Sequence, residues 1–254
     1  TTCDGPGRFN ILLIGLDGSP NADEALEQAV VLGKRFNAKL VVAHVKERDG
    51  TGELLERASE RVRDAGLRVE TVLRQGHPDI ELAALARDVD TVLVGRRGRS
   101  SGAHGAGGGV VGKTVASLIR IAERTVVVCA SKPSPMERCA IAYDGRDTAQ
   151  RALELVARFA SVTQSTVHVI HATIDSAIGT MVVGDAEALL SVQGVAFVTH
   201  LEHGTPGEAV ARVIRQTQCD ALFAGAHVGK GPAVMVSHAE EILLHTDIPV
   251  VIQP

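Results

Sequence analysis

The chain of 254 residues is poor in aromatic side chains: it has five Phe, one Tyr and no Trp. A protein that reads single-stranded nucleic acid stacks the bases on exposed aromatic rings and follows the phosphates with a basic groove. With 2% aromatic residues and a formal net charge of -4, this sequence offers little of either. We therefore expect no nucleic-acid partner.

Long hydrophobic runs and paired cysteines are missing too. No apolar run approaches the roughly 20 residues that span a bilayer, and the polar residues 1–6 lack the charged and apolar segments of a signal peptide. The four cysteines lie far apart without a Cys-x-x-Cys pair, which favours reduced thiols over a disulfide scaffold. The sequence thus predicts a soluble, cytoplasmic protein with no membrane insertion.

What the sequence does contain is an internal repeat that extends over the whole chain. An apolar run ending in Asp17 recurs as one ending in Asp144, and His44 recurs at the same offset as His171. Three further landmarks recur in the same order: Gly76-His-Pro as Gly204-Thr-Pro, residues 90–95 as 220–225, and residues 125–129 as 248–252. This order predicts two tandem modules, residues 1–132 and 133–254.

Within each module, short apolar runs alternate with segments of helical period, a pattern typical of β-α-β units and a parallel sheet. The first module has predicted strands at 10–16, 39–46, 68–74, 91–95 and 125–130, and predicted helices at 21–37, 52–66, 78–88 and 112–122. We predict an α/β fold of two doubly wound, Rossmann-like parallel sheets with five strands each. Because helices should cover both faces of each sheet, we expect nearly all-apolar strands.

Ligands of open parallel sheets bind beyond the carboxyl ends of the strands, which directs attention to the glycine-rich residues 95–114. So many glycines leave backbone N–H groups available to form an anion-binding nest, next to a helix N-terminus. Residues 1–133 carry 19 Lys and Arg against 17 Asp and Glu, whereas the remainder carries 7 against 13. The stretch predicts a polyphosphate site, and the alternative is a merely flexible surface loop.

The same stretch contains the letters of a P-loop, from Gly107 to Gly112-Lys113-Thr114. A working P-loop follows its strand directly, whereas the predicted strand here ends at Gly95, well before Gly107. A P-loop nucleoside triphosphatase is therefore an alternative that the sequence context disfavours.

The order of these features resembles the universal stress protein family over the whole chain, as two tandem modules. The nucleotide-binding branch of that family has Gly-x-x-Gly, nine residues, and then Gly followed by Ser or Thr. Gly95-x-x-Gly98 matches the first part, but the interval from Gly98 to Gly112 is longer than in that pattern, and Lys113 precedes Thr114. The resemblance implies an adenine nucleotide alpha hydrolase-like fold that binds ATP or AMP, with Mg²⁺ as a companion ion, in the first module.

The resemblance also implies roles for individual residues. Asp17 and Gly18 would lie at the adenosine end, and the backbone of Val45 would read the adenine edge. The ribose and phosphates would be held by Gly95, Arg96, Gly98, Gly112, Lys113 and Thr114. The alternative for Asp17 is an ordinary turn or N-cap residue before the helix.

The second module departs further from the family pattern. Its loop is shorter, and Val236-Ser237 stands where the closing glycine is expected. A β-branched valine lacks the conformational freedom of glycine, so we expect weak nucleotide binding there or none.

Ten histidines raise the question of a metal site. His168 and His171 should point to opposite faces of a strand, as should His200 and His203, and no zinc-ligand spacing is present. The sequence therefore predicts no metal site and no catalytic residue; His104, in the glycine loop, is a candidate phosphate contact.

Taken together, the sequence predicts a stress-response protein that acts as a regulatory or signalling module, with little or no ATP hydrolysis. The alternative is a nucleotide-free structural or interaction protein of the same fold. The last strand of each module, at 125–130 and 248–252, is an apolar sheet edge that invites pairing. We therefore expect the two modules to pair within one chain, two chains to associate as a homodimer, and an unknown protein partner.

Overall fold

A computed structural model shows the fold and describes residues 9–46, 52–98, 111–226 and 238–254. The chain divides into two compact units, residues 1–134 and 135–254. Among the residues described, no helix has both the length and the apolar character that crossing a membrane requires.

The first unit alternates strands and helices, as the hydrophobic pattern predicts. Its strands are β1 (Ile11–Leu16), β2 (Lys39–Lys46), β3 (Arg68–Gln75), β4 (Thr91–Gly95) and β5 (Thr125–Cys129). Its helices are α1 (Pro20–Phe36), α2 (Glu53–Asp64), α3 (Pro78–Ala86) and α4 (Lys113–Ile121). The strands pair in parallel in the order β3-β2-β1-β4-β5. The chain therefore reverses its winding direction between β1 and β4, which makes that gap the switch point of the sheet.

The second unit repeats this topology. Its strands are β6 (Arg138–Ala142), β7 (Thr166–Ala172), β8 (Phe197–Glu202), β9 (Ala221–Gly225) and β10 (Val250–Gln253). Its helices are α5 (Asp147–Thr163), α6 (Ser176–Val192), α7 (Pro206–Thr217) and α8 (His238–His245). These strands also pair in parallel, in the order β10-β9-β6-β7-β8, with the switch point between β6 and β9. The predicted fold, two parallel sheets of five strands, is confirmed.

The first helix of each unit shows how the sequence sets these elements. Ser19 caps α1, since its side chain accepts a hydrogen bond from the N–H of Ala22. Asn37, the C-cap residue that follows α1, adopts the left-handed conformation at φ 51°, and Gln164 caps α5 in the same way at φ 56°. Apolar residues of α1 such as Leu26 and Ala29 are buried, and the helix packs on β1 and β4.

The expectation of nearly all-apolar strands is wrong at one edge of each sheet. In β3 six of the eight residues are exposed and the other two are half-buried, and β8 contains no fully buried residue. Each of these strands is outermost in its sheet, so it has a neighbouring strand on one side only. The central strands β1 and β4 are mostly buried. Helices α2 and α6 pack on β3 and β8, yet these outer strands leave polar side chains such as Glu70 and apolar ones such as Leu73 and Val198 exposed.

Candidate functional site

Three segments of the first unit meet beyond the carboxyl ends of β1 and β4. Asp17 directly follows β1, Arg96 directly follows β4, and Lys113 begins α4. Since β1 and β4 are parallel neighbours, the residues after both strands lie at the same edge of the sheet. The structure thus brings most of the predicted site residues to the switch point.

Asp17 forms a turn and also faces the segment after β4. Its Oδ1 accepts a hydrogen bond from the N–H of Ser19 at 2.9 Å, and Gly18 completes the turn at φ 76°. The turn role of Asp17 is therefore confirmed, while the N-cap of the helix is Ser19. The other oxygen, Oδ2, would lie 2.6 Å from a Cβ atom placed on Gly98. A glycine at position 98 thus lets the backbone approach the half-buried carboxylate.

Ser19 connects the same two segments. Its hydroxyl donates to the carbonyl oxygen of Arg97 at 3.5 Å while it accepts from the N–H of Ala22 at 3.3 Å. This buried side chain therefore holds the turn of Asp17 beside residues 96–98. The role was not predicted, although a Ser before Pro20 is a recognisable N-cap signal.

The N-terminus of α4 is fixed against the end of β4. The N–H of Gly112 donates to the carbonyl oxygen of Arg96 at 3.0 Å, and Gly112 occupies the N-cap position without any side-chain hydrogen bond that caps the helix. The first turn has no acidic residue, while Lys113 is exposed and Thr114 is half-buried. The positive end of the helix dipole and the ammonium group of Lys113 therefore favour an anion here.

The end of β2 is held to the end of β1 by a histidine. The Nδ1–H of His44 donates to the carbonyl oxygen of Leu16 at 2.7 Å, one residue before Asp17. Val45, the predicted adenine contact, follows His44 on β2 and is half-buried. The repeat marks His44 as a landmark but does not indicate this contact.

Gly95 has a packing role that was not predicted. A Cβ atom on Gly95 would collide with the backbone oxygen of Asn21 in α1. The equivalent Cβ on Gly225 would lie 2.5 Å from the backbone carbon of Thr148 in α5. Both glycines thus let the first helix of the unit approach the strand closely. A contact of Gly95 with phosphate stays a prediction.

The corresponding turn of the second unit carries different chemistry. Oδ1 of Asp144 accepts from the N–H of Arg146 at 3.1 Å, and Gly145 has φ 78°, as in the first unit. Arg146 stands in place of Ser19, caps nothing, and lies with its Nε 3.6 Å from Asp144 Oδ2. This carboxylate therefore already has a cation as its neighbour.

Several predicted features fall outside the residues that the structure describes. These are His104 and Gly107 of the glycine loop and Val236 and Ser237 of the second module.

Comparison with known proteins identifies the modules. The model of the universal stress protein family matches residues 8–130 and again residues 136–254. The universal stress protein Slr1230 of Synechocystis is 25% identical over 246 residues, covering 95% of this chain and 82% of its own. The universal stress protein YxiE of Bacillus subtilis is 28% identical over 122 residues, covering 36% of this chain and 82% of its own.

A solved structure shares the fold across both units. The crystal structure of a universal stress protein from Archaeoglobus fulgidus superposes with a TM-score of 0.83 at 20% identity. The match covers 97% of this chain and 98% of that one. At this level of identity the likeness concerns the fold alone.

Proposed function

This chain belongs to the universal stress protein family, and on that premise we propose that its first unit binds ATP or AMP at the switch point between β1 and β4. The observation that carries the proposal is the approach of three groups: the Asp17 carboxylate, the backbone at Gly98 and the N-terminus of α4. These groups offer an acceptor for the adenosine part and donors for the phosphates.

Each part of the proposed site suits one part of the nucleotide. A carboxylate accepts hydrogen bonds from ribose hydroxyls or from an exocyclic amine, and Asp17 is half-buried at the end of β1. Backbone N–H groups at the start of α4, with Lys113 and Thr114, bind phosphate oxygens. Mg²⁺ would accompany ATP on its phosphates, and we assign it no protein ligand.

The site is proposed for binding and regulation in the cytoplasm. Lys113 and Thr114 suit the binding of charged phosphate oxygens, and the proposal gives neither of them a part in activating a water molecule. We therefore propose that the bound nucleotide changes the conformation of the chain or its choice of protein partner, with little or no hydrolysis.

The test is to identify and titrate the ligand. Nucleotide released by heating the purified chain is identified by mass spectrometry, and ATP and AMP are then titrated by calorimetry. Gly98→Ala places a Cβ against Asp17 Oδ2 and should weaken ATP binding at least tenfold. The matched control is Gly184→Ala in α6, where a Cβ meets no atom within 4 Å, and its affinity should equal that of the wild type. No heat of binding for either nucleotide at millimolar concentration would overturn the proposal.

One observation favours the second candidate, a nucleotide-free interaction protein. Three large apolar side chains are exposed around the start of α6: Ile174 is 95% exposed, Ile178 58% and Met181 75%. Exposed apolar side chains close together mark protein contacts more often than isolated ones. Ile178→Glu with Met181→Glu should abolish such a contact while ATP binding is retained.

The assembly of the modules stays a prediction from the sequence. We propose that the apolar strand edges at 125–130 and 248–252 pair the two units within one chain and that two chains then form a homodimer. Light scattering on the full chain decides the second step, because a chain of 26.6 kDa is readily distinguished from its dimer.

A further inference from the structure

Two histidines on neighbouring strands of the second unit are in direct contact. His168 on β7 and His200 on β8 have their Nδ1 and Nε2 atoms, respectively, 3.0 Å apart. Their rings are 5.3 Å apart between centroids and 26° from parallel. Both side chains are half-buried, and His200 is on the outermost strand of the sheet, so the pair is partly open to water.

The first unit shows that the fold does not need this pair. In the second unit His168 pairs with Val198 across β7 and β8. The counterpart of His168 in the repeat is Val41, which pairs with Glu70 across β2 and β3. The same register places Val72 where the second unit has His200. A pair of valines thus fits the position structurally, and the second unit carries two imidazoles there instead.

The chemical state of the pair suits a metal ion. Burial, followed by the effect of the neighbouring imidazole, lowers the pKa of His168, and burial also lowers that of His200. Both rings are therefore neutral at pH 7, and a neutral imidazole is the form that binds metals. In the pair, one ring donates an N–H and the other accepts it with its lone pair.

We propose that His168 and His200 form a binding site for a divalent transition-metal ion of the Ni²⁺ or Cu²⁺ type, with the two imidazoles as adjacent ligands. With metal–nitrogen bonds of about 2.05 Å, two nitrogens 3.0 Å apart subtend an angle of about 94° at the metal. That angle suits neighbouring positions of a square-planar or octahedral ion, and it is smaller than the tetrahedral angle that Zn²⁺ prefers.

Metal binding replaces the hydrogen bond without a net loss of protons. The ring that donates its N–H moves that proton to its other nitrogen and so frees a second lone pair. Both rings then turn their lone pairs toward the open side, where water fills the remaining positions. Glu202, two residues after His200, is held by Arg212, with its Oε2 2.9 Å from Arg212 Nη2, so we do not count it as a ligand.

The test is a titration of the full chain with NiCl₂ at pH 7.5 by calorimetry, in parallel with His168→Val and His200→Val. These substitutions install the residue type that the first unit carries at the same places, so each variant should fold. The His168→Val and His200→Val variants should each lose one Ni²⁺ site per chain, or should bind Ni²⁺ at that site at least tenfold more weakly than the wild type. The matched control is His203→Ala, an exposed histidine outside the pair, which should keep the site.

A second readout separates binding from folding. Ni²⁺ should raise the melting temperature of the wild type and of His203→Ala, because a ligand that binds the folded state stabilises it. Ni²⁺ should not raise the melting temperature of either His168→Val or His200→Val. Equal Ni²⁺ stoichiometry and affinity in the wild type and both valine variants would overturn the proposal, as would a wild type that binds no Ni²⁺ at millimolar concentration.

Discussion

The two units hold the end of their first strand in the same way but present different groups there. In both, a histidine on the second strand donates to the carbonyl oxygen just before an aspartate, His44 to Leu16 and His171 to Tyr143. The two units differ two residues after this aspartate. Ser19 donates a hydrogen bond to the segment after β4, whereas Arg146 lies against Asp144 of the same turn. The duplication has thus kept the contacts that build the sheet, and the chemistry at the switch point has diverged.

The largest expected effect tests what the two units share. Gly95→Ala and Gly225→Ala each force a Cβ within 2.6 Å of helix backbone, so each should lower the free energy of unfolding by about 3 kcal/mol. Urea denaturation measures both losses. Gly184→Ala is the control, since it adds a methyl group in open space inside a helix and should stabilise by up to about 1 kcal/mol. A large loss in one unit alone would show that the units do not share this packing.

Substitutions of His44 and His171 should have separate effects on the stability of the fold and on ATP binding. His171→Leu removes the donor from a buried carbonyl and should cost about 2 kcal/mol, and His44→Leu, at a half-buried site, should cost less. Only His44→Leu should weaken ATP binding, because only Leu16 precedes the proposed ligand Asp17. Thermal unfolding and ATP titration of both variants check this, and equal ATP affinity in both would contradict it.

The hydrophobic period predicted the strands and helices well because it depends only on residues close together in the sequence. The repeat then predicted that the second unit has the same fold. All nine elements of the first unit are confirmed, with bounds that differ by two residues or fewer. The exposed strand β3 was not foreseen, since the order of strands in a sheet decides which strand is outermost. The placement of Asp17 beside Gly98 likewise depends on how β1 and β4 pair.

The contact between His168 and His200 shows most clearly what could not be predicted from the sequence. The alternation of side chains along a strand predicts His168 and His171 on opposite faces, and in the structure the two have different partners: His171 donates to the carbonyl oxygen of Tyr143, and His168 contacts His200. The register between β7 and β8, which pairs His168 with Val198 and so brings His200 diagonally beside it, is needed for the contact. No turn connects these parallel strands to fix that register in the sequence.

The smallest expected effect on stability concerns the contact between helices α3 and α4 of the first unit. Ser117 on α4 donates to Asp79 on α3 at 2.6 Å, and this hydrogen bond lowers the pKa of Asp79. The contact therefore stabilises the fold above about pH 4, the ordinary range of the carboxyl group, and the stabilisation is lost as the pH falls through the lowered pKa. In the second unit the carboxylate is on the other helix, where Glu241 accepts from the N–H of Gly207 at 3.3 Å.

Ser117→Ala should thus cost about 1 kcal/mol of stability at pH 7 and progressively less in acid. Denaturant unfolding at several pH values measures this, with Ser117→Thr as the control that keeps the hydroxyl. A cost that stays constant down to pH 2 would contradict the assignment.

The central claim is that nucleotide binds to one unit of two, and titration of ATP into two matched variants tests it most directly. Asp17→Ala should weaken binding by about 1–3 kcal/mol, since a polar group of the nucleotide loses its partner. Asp144→Ala, at the equivalent turn, should leave the affinity and the stoichiometry of one ATP per chain unchanged. Equal weakening by both variants, or two equivalent sites in the wild type, would contradict the claim.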